Sequence, residues 1–147
     1  VIQKSSFNIR FSWPVDNCDF WISSMYGPRK HKGVVKVHRG VDLAATSGTL
    51  VKAAAPGKVI RADFDQVGYG NVIEILHKQG IVTRYGHLKD LYVEVGDKIA
   101  REEEIATVGA TGNVRGKNDP SHLHFEIIDK HGKNIDPTPY LFCGELE

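Results

Sequence analysis

Two apolar runs separated by a short loop decide the fold of this chain: Asn71-Val72-Ile73-Glu74-Ile75-Leu76 and Ile81-Val82-Thr83-Arg84-Tyr85. Both runs are rich in the β-branched and aromatic residues that favour strands. The segment between them, His77-Lys78-Gln79-Gly80, contains the glycine expected of a hairpin loop. The sequence therefore predicts a β-hairpin over residues 71–85.

Similar short runs occur along the rest of the chain, and turn residues bound most of them. Further strands are predicted at residues 50–54, 58–62, 91–95, 105–108 and 122–128. No window shows apolar residues at the period of a helix, and the acidic segment 101–104 is at most a short turn. We therefore predict an all-β, mainly antiparallel domain with little helix. Segments 28–37 and 109–121 are predicted to be polar loops that form the walls of a binding cleft.

The composition excludes several classes of protein. The chain has 147 residues, of which 41% are hydrophobic and 25% charged, as is typical of a single globular domain. Its 19 basic and 18 acidic residues give a net charge of +1 without a large basic run, which argues against nucleic-acid binding. No apolar stretch reaches the length of a membrane span. Because the chain begins at Val1 without a signal peptide, we expect a processed product or a trimmed piece, with a targeting segment or other domains outside it.

The two cysteines, Cys18 and Cys143, lie near opposite ends of the chain. The sequence has no CxxC pair, which argues against a redox motif or a cysteine zinc site. Two alternatives remain open. One is a disulfide that joins the two ends, which the chain-entropy relation values at about 4–5 kcal/mol for so long a loop. The other is two separate buried thiols. Export from the cell would favour the disulfide.

Histidine and aspartate cluster in two segments, His38-Arg39-Gly40-Val41-Asp42 and His122-Leu123-His124. Residues two or four apart in an extended strand face the same side, so His38 and Asp42 share a face, as do His122 and His124. Two imidazoles, one carboxylate and a water in the fourth position form the ligand set of a hydrolytic zinc site. The residues alone predict His38, Asp42 and one of His122 or His124 as ligands, and they leave that last choice open.

A fourth histidine, His87, follows the second strand of the predicted hairpin, and we expect it to face the same groove. An imidazole beside the water would stabilise a developing oxyanion, while the histidine left outside the metal site would transfer protons. The competing interpretation is that each is an ordinary surface or core histidine. The coincidence of four histidines and one aspartate in strand-like sequence favours the metal site. The remaining histidines, His31, His77 and His131, lie in predicted loops and are expected to be exposed.

Taken in order, these motifs resemble the lysostaphin-type (LytM-type) zinc metalloendopeptidases, which cut peptide bonds in bacterial peptidoglycan. The resemblance implies a two-layer β-sheet domain over residues 13–147 with a metal site in a groove. It also implies an N-terminal extension or edge segment over residues 1–12. The matching segments are 13–14, 24–29, 38–44, 48–53, 57–59, 68–71, 85–88, 95–97, 109–113, 122–127, 136–137 and 140–141.

The resemblance also implies a role for each candidate residue. His38, Asp42 and the second histidine of the HxH motif, His124, would bind one Zn²⁺ ion. His122 and His87 would act on the water and on the reaction intermediate. The chain would then be a peptidoglycan hydrolase that cleaves cross-link or stem peptides through a zinc-activated water. We expect an extracytoplasmic monomer (periplasmic, in the cell envelope or secreted) that binds peptidoglycan peptides and no nucleic acid.

Two other functions belong to different classes. A non-catalytic or autoinhibited relative would serve as a cell-wall-binding or regulatory module, with a regulatory or inhibitory segment outside this chain; the presence of all five site positions favours the enzyme. A biotinyl or lipoyl carrier domain is suggested by residues 95–99 and 105–108, but the chain lacks the modified-lysine motif and the histidines would go unexplained.

Segments 101–104 and 117–121 depart from the family pattern and bear on substrate preference rather than on the metal site.

Overall fold

Short strands dominate the computed structural model, which describes residues 9–16, 18–112, 114 and 120–142, apart from the side chains of His31 and Phe142. Two 3₁₀ turns, Lys78–Gly80 and Thr138–Tyr140, are the only helical segments among these residues. The predicted all-β fold with little helix is therefore confirmed. The described strands are β1 (Phe11–Ser12), β2 (Trp21–Ser24), β3 (Gly27–His31), β4 (Val34–His38), β5 (Val41–Ala44), β6 (Leu50–Lys52), β7 (Gly57–Asp65), β8 (Gly70–Leu76), β9 (Val82–Leu91), β10 (Lys98–Ile99), β11 (Glu104–Val108), β12 (His122–Ile128), β13 (Asn134–Ile135) and β14 (Leu141–Phe142).

One large antiparallel sheet positions the site. Its strands lie in the order β10-β7-β8-β9-β12-β5-β2, and β13 pairs with β12. Strand β11 pairs with both β6 and the second half of β9. Strands β3 and β4 form a separate hairpin, and β1 pairs in parallel with β14. The central strand β12 thus lies directly between β9, which carries His87, and β5, which carries Asp42.

Alternation along β12 separates the core from the site. Leu123, Phe125 and Ile127 are fully buried in the hydrophobic core. Because successive side chains of a strand point to opposite faces, the alternate residues His122, His124 and Glu126 lie on the other side of the sheet. Burial of each large core side chain contributes about 1.5–3 kcal/mol. The packing of the core therefore fixes the register that brings the histidines to the groove.

The structure confirms the predicted hairpin, because β8 and β9 pair in antiparallel register. Two predictions for other segments are wrong. Residues 28–37, expected to be a loop, form most of the β3–β4 hairpin, which turns at Lys32 and Gly33 with positive φ angles of 51° and 80°. Positive φ at both central residues is the geometry of a tight hairpin turn. Residues 91–95 are not a strand: only Leu91 belongs to β9, and the backbone N–H of Glu94 donates to the Asp97 side chain instead.

His77 is buried, contrary to the prediction that it is exposed. Its ring nitrogens lie 2.7 Å from the Pro56 carbonyl oxygen and 2.7 Å from Thr83 Oγ1, and burial lowers its pKa. His131 is exposed as predicted, and the His31 side chain lies outside the described residues.

Cys18 is an exposed free cysteine, so it fits neither of the two alternatives left open for it, a disulfide or a buried thiol. Cys143 lies outside the described residues, and the predicted domain boundary after residue 12 remains a prediction. In the part of the chain that is described, no helix has the length and apolarity needed to cross a membrane.

Candidate metal centre and active site

Three side chains from three strands converge on one point: His38 at the end of β4, Asp42 in β5 and His124 in β12. Asp42 and His124 are direct cross-strand partners. Asp42 Oδ1 lies 3.2 Å from His38 Nε2 and 2.8 Å from His124 Nδ1. The two ring nitrogens are themselves 3.3 Å apart. The three atoms form a compact triangle of potential ligands.

Gly40 allows the chain to turn between His38 and Asp42 close to β12. A Cβ atom at this position would overlap the carbonyl oxygen of Phe125 and lie 2.9 Å from Cγ of Glu126. Any other residue would therefore push the turn away from β12. The glycine of the His-x-Gly-x-Asp motif lets both candidate ligands reach His124.

The donor set fits a zinc ion. Three ligands of a tetrahedral zinc with bonds of about 2.0 Å lie about 3.3 Å from one another, close to the observed separations. His38 Nδ1 donates to the Met25 carbonyl oxygen at 2.8 Å, and His124 Nε2 donates to Glu126 Oε2 at 2.7 Å. When the rings are neutral, these bonds leave lone pairs on the two nitrogens that face Asp42, and a cation between the three atoms, either a proton or a metal ion, removes their mutual repulsion.

The electrostatics of the cluster also favour a cation. Burial alone would raise the pKa of Asp42, but hydrogen bonds from His124 and His38 hold it below its usual range. Burial would lower the pKa of His124, but its hydrogen bonds to Asp42 and Glu126 raise it to about 9. Both shifts arise because the Asp42 carboxylate and the His124 imidazole stabilise each other's charged forms.

Glu126 lies behind His124, and sequence reasoning did not identify it. Its carboxylate is fully buried and accepts four hydrogen bonds: from His124 Nε2 at 2.7 Å, Tyr69 Oη at 2.5 Å, Arg84 at 2.6 Å and Asn134 Nδ2 at 2.8 Å. Burial would raise the pKa of Glu126, but His124 above all, together with Tyr69 and Arg84, lowers it to about 2. The available signal was strand alternation, which places Glu126 on the same face as His124.

His122 and His87 lie side by side next to the triangle, with ring centroids 4.7 Å apart. His122 Nδ1 is 2.8 Å from the Pro120 carbonyl oxygen, and His87 Nδ1 is 2.7 Å from that of Thr111. Because a carbonyl only accepts, each Nδ1 carries a hydrogen and each Nε2 keeps a lone pair. His122 Nε2 lies 3.8 Å from Asp42 Oδ1. Burial lowers the pKa of His87 to about 4, so this ring is neutral at pH 7.

All five predicted site residues line one open groove of about 600 Å³. The β3–β4 hairpin forms one wall, and the turn between β7 and β8, with Tyr69, forms the other. The volume lies in the range of known ligand sites. The structure thus brings together, in one open groove, every side chain that the sequence analysis selected for the site.

Comparison with known proteins identifies the family. Residues 36–137 match peptidase family M23, the family of the lysostaphin-type peptidases. The chain is 36% identical over 110 residues to the peptidoglycan DD-endopeptidase ShyC of Vibrio cholerae, across 73% of this chain and 24% of ShyC. It is 40% identical over 103 residues to the murein hydrolase activator EnvC of Escherichia coli, across 70% of this chain and 23% of EnvC. The chain thus spans about a quarter of the length of these relatives.

A solved structure agrees with the sequence matches. The crystal structure of a zinc-containing peptidase from Vibrio cholerae matches with a TM-score of 0.80 and 34% identity, over 95% of this chain and 41% of that one. The predicted resemblance is confirmed: the chain belongs to peptidase family M23.

Proposed function

We propose that the chain is a zinc-dependent endopeptidase that hydrolyses peptide bonds of bacterial peptidoglycan outside the cytoplasm. The observation that carries the proposal is the triangle of His38, Asp42 and His124 donor atoms beside two further imidazoles in an open groove. The names of two relatives, a peptidoglycan DD-endopeptidase and a zinc-containing peptidase, support the substrate and the metal.

In this proposal His38 Nε2, Asp42 Oδ1 and His124 Nδ1 hold one Zn²⁺ ion. The bound ion would polarise the scissile carbonyl and lower the pKa of a water in its open position. Met25 and Glu126 fix the two imidazole rings in the orientation that turns these nitrogens toward the ion.

The two remaining histidines move the protons. The Pro120 carbonyl holds His122 so that its free Nε2 accepts a proton from the attacking water and later delivers it to the leaving amine. His87 is the adjacent imidazole: its Nδ1 donates to the Thr111 carbonyl, and its free Nε2 accepts a hydrogen bond from the attacking water and helps to orient it. General acid–base catalysis of this kind contributes about 10²–10⁴-fold in rate.

A second candidate function is regulatory. EnvC, which is 40% identical over the aligned residues, is named a murein hydrolase activator. On this alternative the groove binds cell-wall peptide, or a segment outside this chain covers it, and no bond is cut. The five site residues and the open groove favour the enzyme.

Digestion of purified peptidoglycan tests the proposal. Protein with a measured zinc content is incubated with the cell walls, and the released fragments are identified by mass spectrometry; the Asp42→Ala variant is the matched control. We expect cleaved peptides with new amino and carboxyl ends, in the wild-type digest alone. Fully zinc-loaded protein that binds the walls and releases nothing would contradict the proposal and support the regulatory function.

A further inference from the structure

Basic residues are concentrated along one wall of the groove. The segment from Gly27 to Gly40 contains five arginines and lysines and no acidic residue, although the whole chain has a net charge of only +1. These five residues are Arg29, Lys30, Lys32, Lys36 and Arg39. The wall of the groove is therefore strongly positive compared with the rest of the molecule.

Three of these cations line the groove: Arg39, which follows β4, and Arg29 and Lys36, which the register of the β3–β4 hairpin directs into it. Arg29 pairs with Lys36, two positions from the Gly27–His38 pair. Residues two apart share a face of the sheet, so both cations lie on the face that carries His38. Both line the groove. Lys30, whose partner is Val35, lies on the opposite face and is not among the lining residues.

Arg29 lies close to the proposed zinc ligands. Its guanidinium donates to Ser24 Oγ at 2.7 Å, and that oxygen lies 3.3 Å from His38 Nδ1. Among the described residues, no carboxylate pairs with Arg29 or Lys36 within 4.0 Å. Both cations are thus available to a ligand that occupies the groove.

The acidic residues of the groove already have partners. Asp42 faces His38 and His124. Asp65 pairs with Arg61, and Glu126 pairs with Arg84. The charges that remain available along the groove in the described part of the chain are therefore positive, and the complementary group is an anion on the substrate.

We infer that Arg29 and Lys36 select peptides that carry a free carboxylate beside the scissile bond. The inference rests on the proposed function and makes it more specific. A guanidinium binds a carboxylate through parallel hydrogen bonds, which discriminates against an uncharged amide. A peptide with a free carboxylate beside the scissile bond is thus the preferred substrate.

Two peptides that differ only in this group provide the test: one with a free carboxylate next to the scissile bond, the other with the same group amidated. Both kcat/KM and Kd are measured for each peptide. We expect the zinc-loaded wild-type protein to favour the carboxylate by about tenfold, as for charge-assisted hydrogen bonds in a partly exposed groove. Equal kcat/KM and Kd for the two peptides would overturn the inference.

Variants assign the preference to residues. In the double variant Arg29→Gln with Lys36→Gln, the ratio of kcat/KM for the carboxylate peptide to kcat/KM for the amide peptide should fall close to one. The single variant Arg29→Lys, which keeps both positive charges, should retain much of the preference. Lys30→Gln, on the opposite face of the hairpin, should leave the ratio unchanged. A ratio that survives the double substitution, or that falls equally in Lys30→Gln, would overturn the inference.

The binding measurement separates this inference from the proposed function. If neither peptide is cleaved, the proposed endopeptidase activity fails. A Kd that still favours the carboxylate, and loses that preference in the double variant, would then support Arg29 and Lys36 as the determinants of recognition. Equal Kd values would overturn the inference whether or not cleavage occurs.

Discussion

Replacing Glu126 by glutamine tests whether this buried carboxylate orients His124 toward the metal. The two oxygens of Glu126 accept four hydrogen bonds. Glutamine offers one oxygen and an NH₂ group that only donates, so it leaves some of the four donors facing another donor. Loss of such a partner behind a metal-binding histidine weakens metal binding about 10–100-fold, or about 1.4–2.7 kcal/mol. We expect a decrease of this size in zinc affinity.

Competition with a chromophoric chelator at neutral pH measures the affinity, and urea unfolding of the zinc-free protein measures the stability. Glu74→Gln is the matched control, because Glu74 also pairs with Arg84 but does not touch His124. Each substitution removes one carboxylate from an arginine whose side chain is 20% exposed, so both should lower the free energy of unfolding. Only Glu126→Gln should weaken zinc binding. Equal zinc affinities in the wild type and Glu126→Gln, or an equal loss in Glu74→Gln, would refute the reasoning.

Three further predictions concern other residues of the site and the core. Each of the three ligand variants should lose stoichiometric zinc and activity: His38→Ala, Asp42→Ala and His124→Ala. Zinc content is measured by mass spectrometry of the metal, and a variant that retains its zinc in full contradicts the ligand assignment. His122→Ala should keep its zinc and lose about 10²–10⁴-fold in kcat; wild-type turnover of a peptide substrate would place the base elsewhere. Burial lowers the pKa of His77 below its usual 6.5, so the unfolded chain binds a proton that the folded protein excludes. The stability that His77 contributes is present above about pH 6.5 and is lost as the pH falls toward the folded pKa, by up to about 1.4 kcal/mol per pH unit. Urea unfolding between about pH 7.5 and 5 should show a shallower pH dependence for His77→Asn, and an unchanged slope would rule this explanation out.

The part of the site that follows strand periodicity could be predicted from the sequence. His122 and His124 share one face of β12, and its neighbour β5 presents Asp42 beside His124, because alternation in a strand is a local property. The choice between His122 and His124 as ligand was different. Spacing left it open, since it depends on which ring lies opposite Asp42, and register between strands is a tertiary property.

Residues whose role depends on distant contacts could not be predicted. Glu126 resembled any polar residue of a strand until its contacts with Tyr69 and Arg84 were known, 57 and 42 residues away along the chain. The burial of His77 likewise depends on packing against Phe11 of the N-terminal strand, at 5.7 Å between ring centroids. The β3–β4 hairpin was missed because its charged residues interrupt the apolar alternation, while its turn depends on positive φ at Lys32 and Gly33.

Anomalous diffraction at the zinc absorption edge, from crystals of the zinc-loaded protein, tests the central claim most directly. The account predicts one strong peak in the groove at about 2.0–2.2 Å from His38 Nε2, Asp42 Oδ1 and His124 Nδ1. A peak bound by other residues, or the lack of any peak within reach of these three atoms, would contradict it.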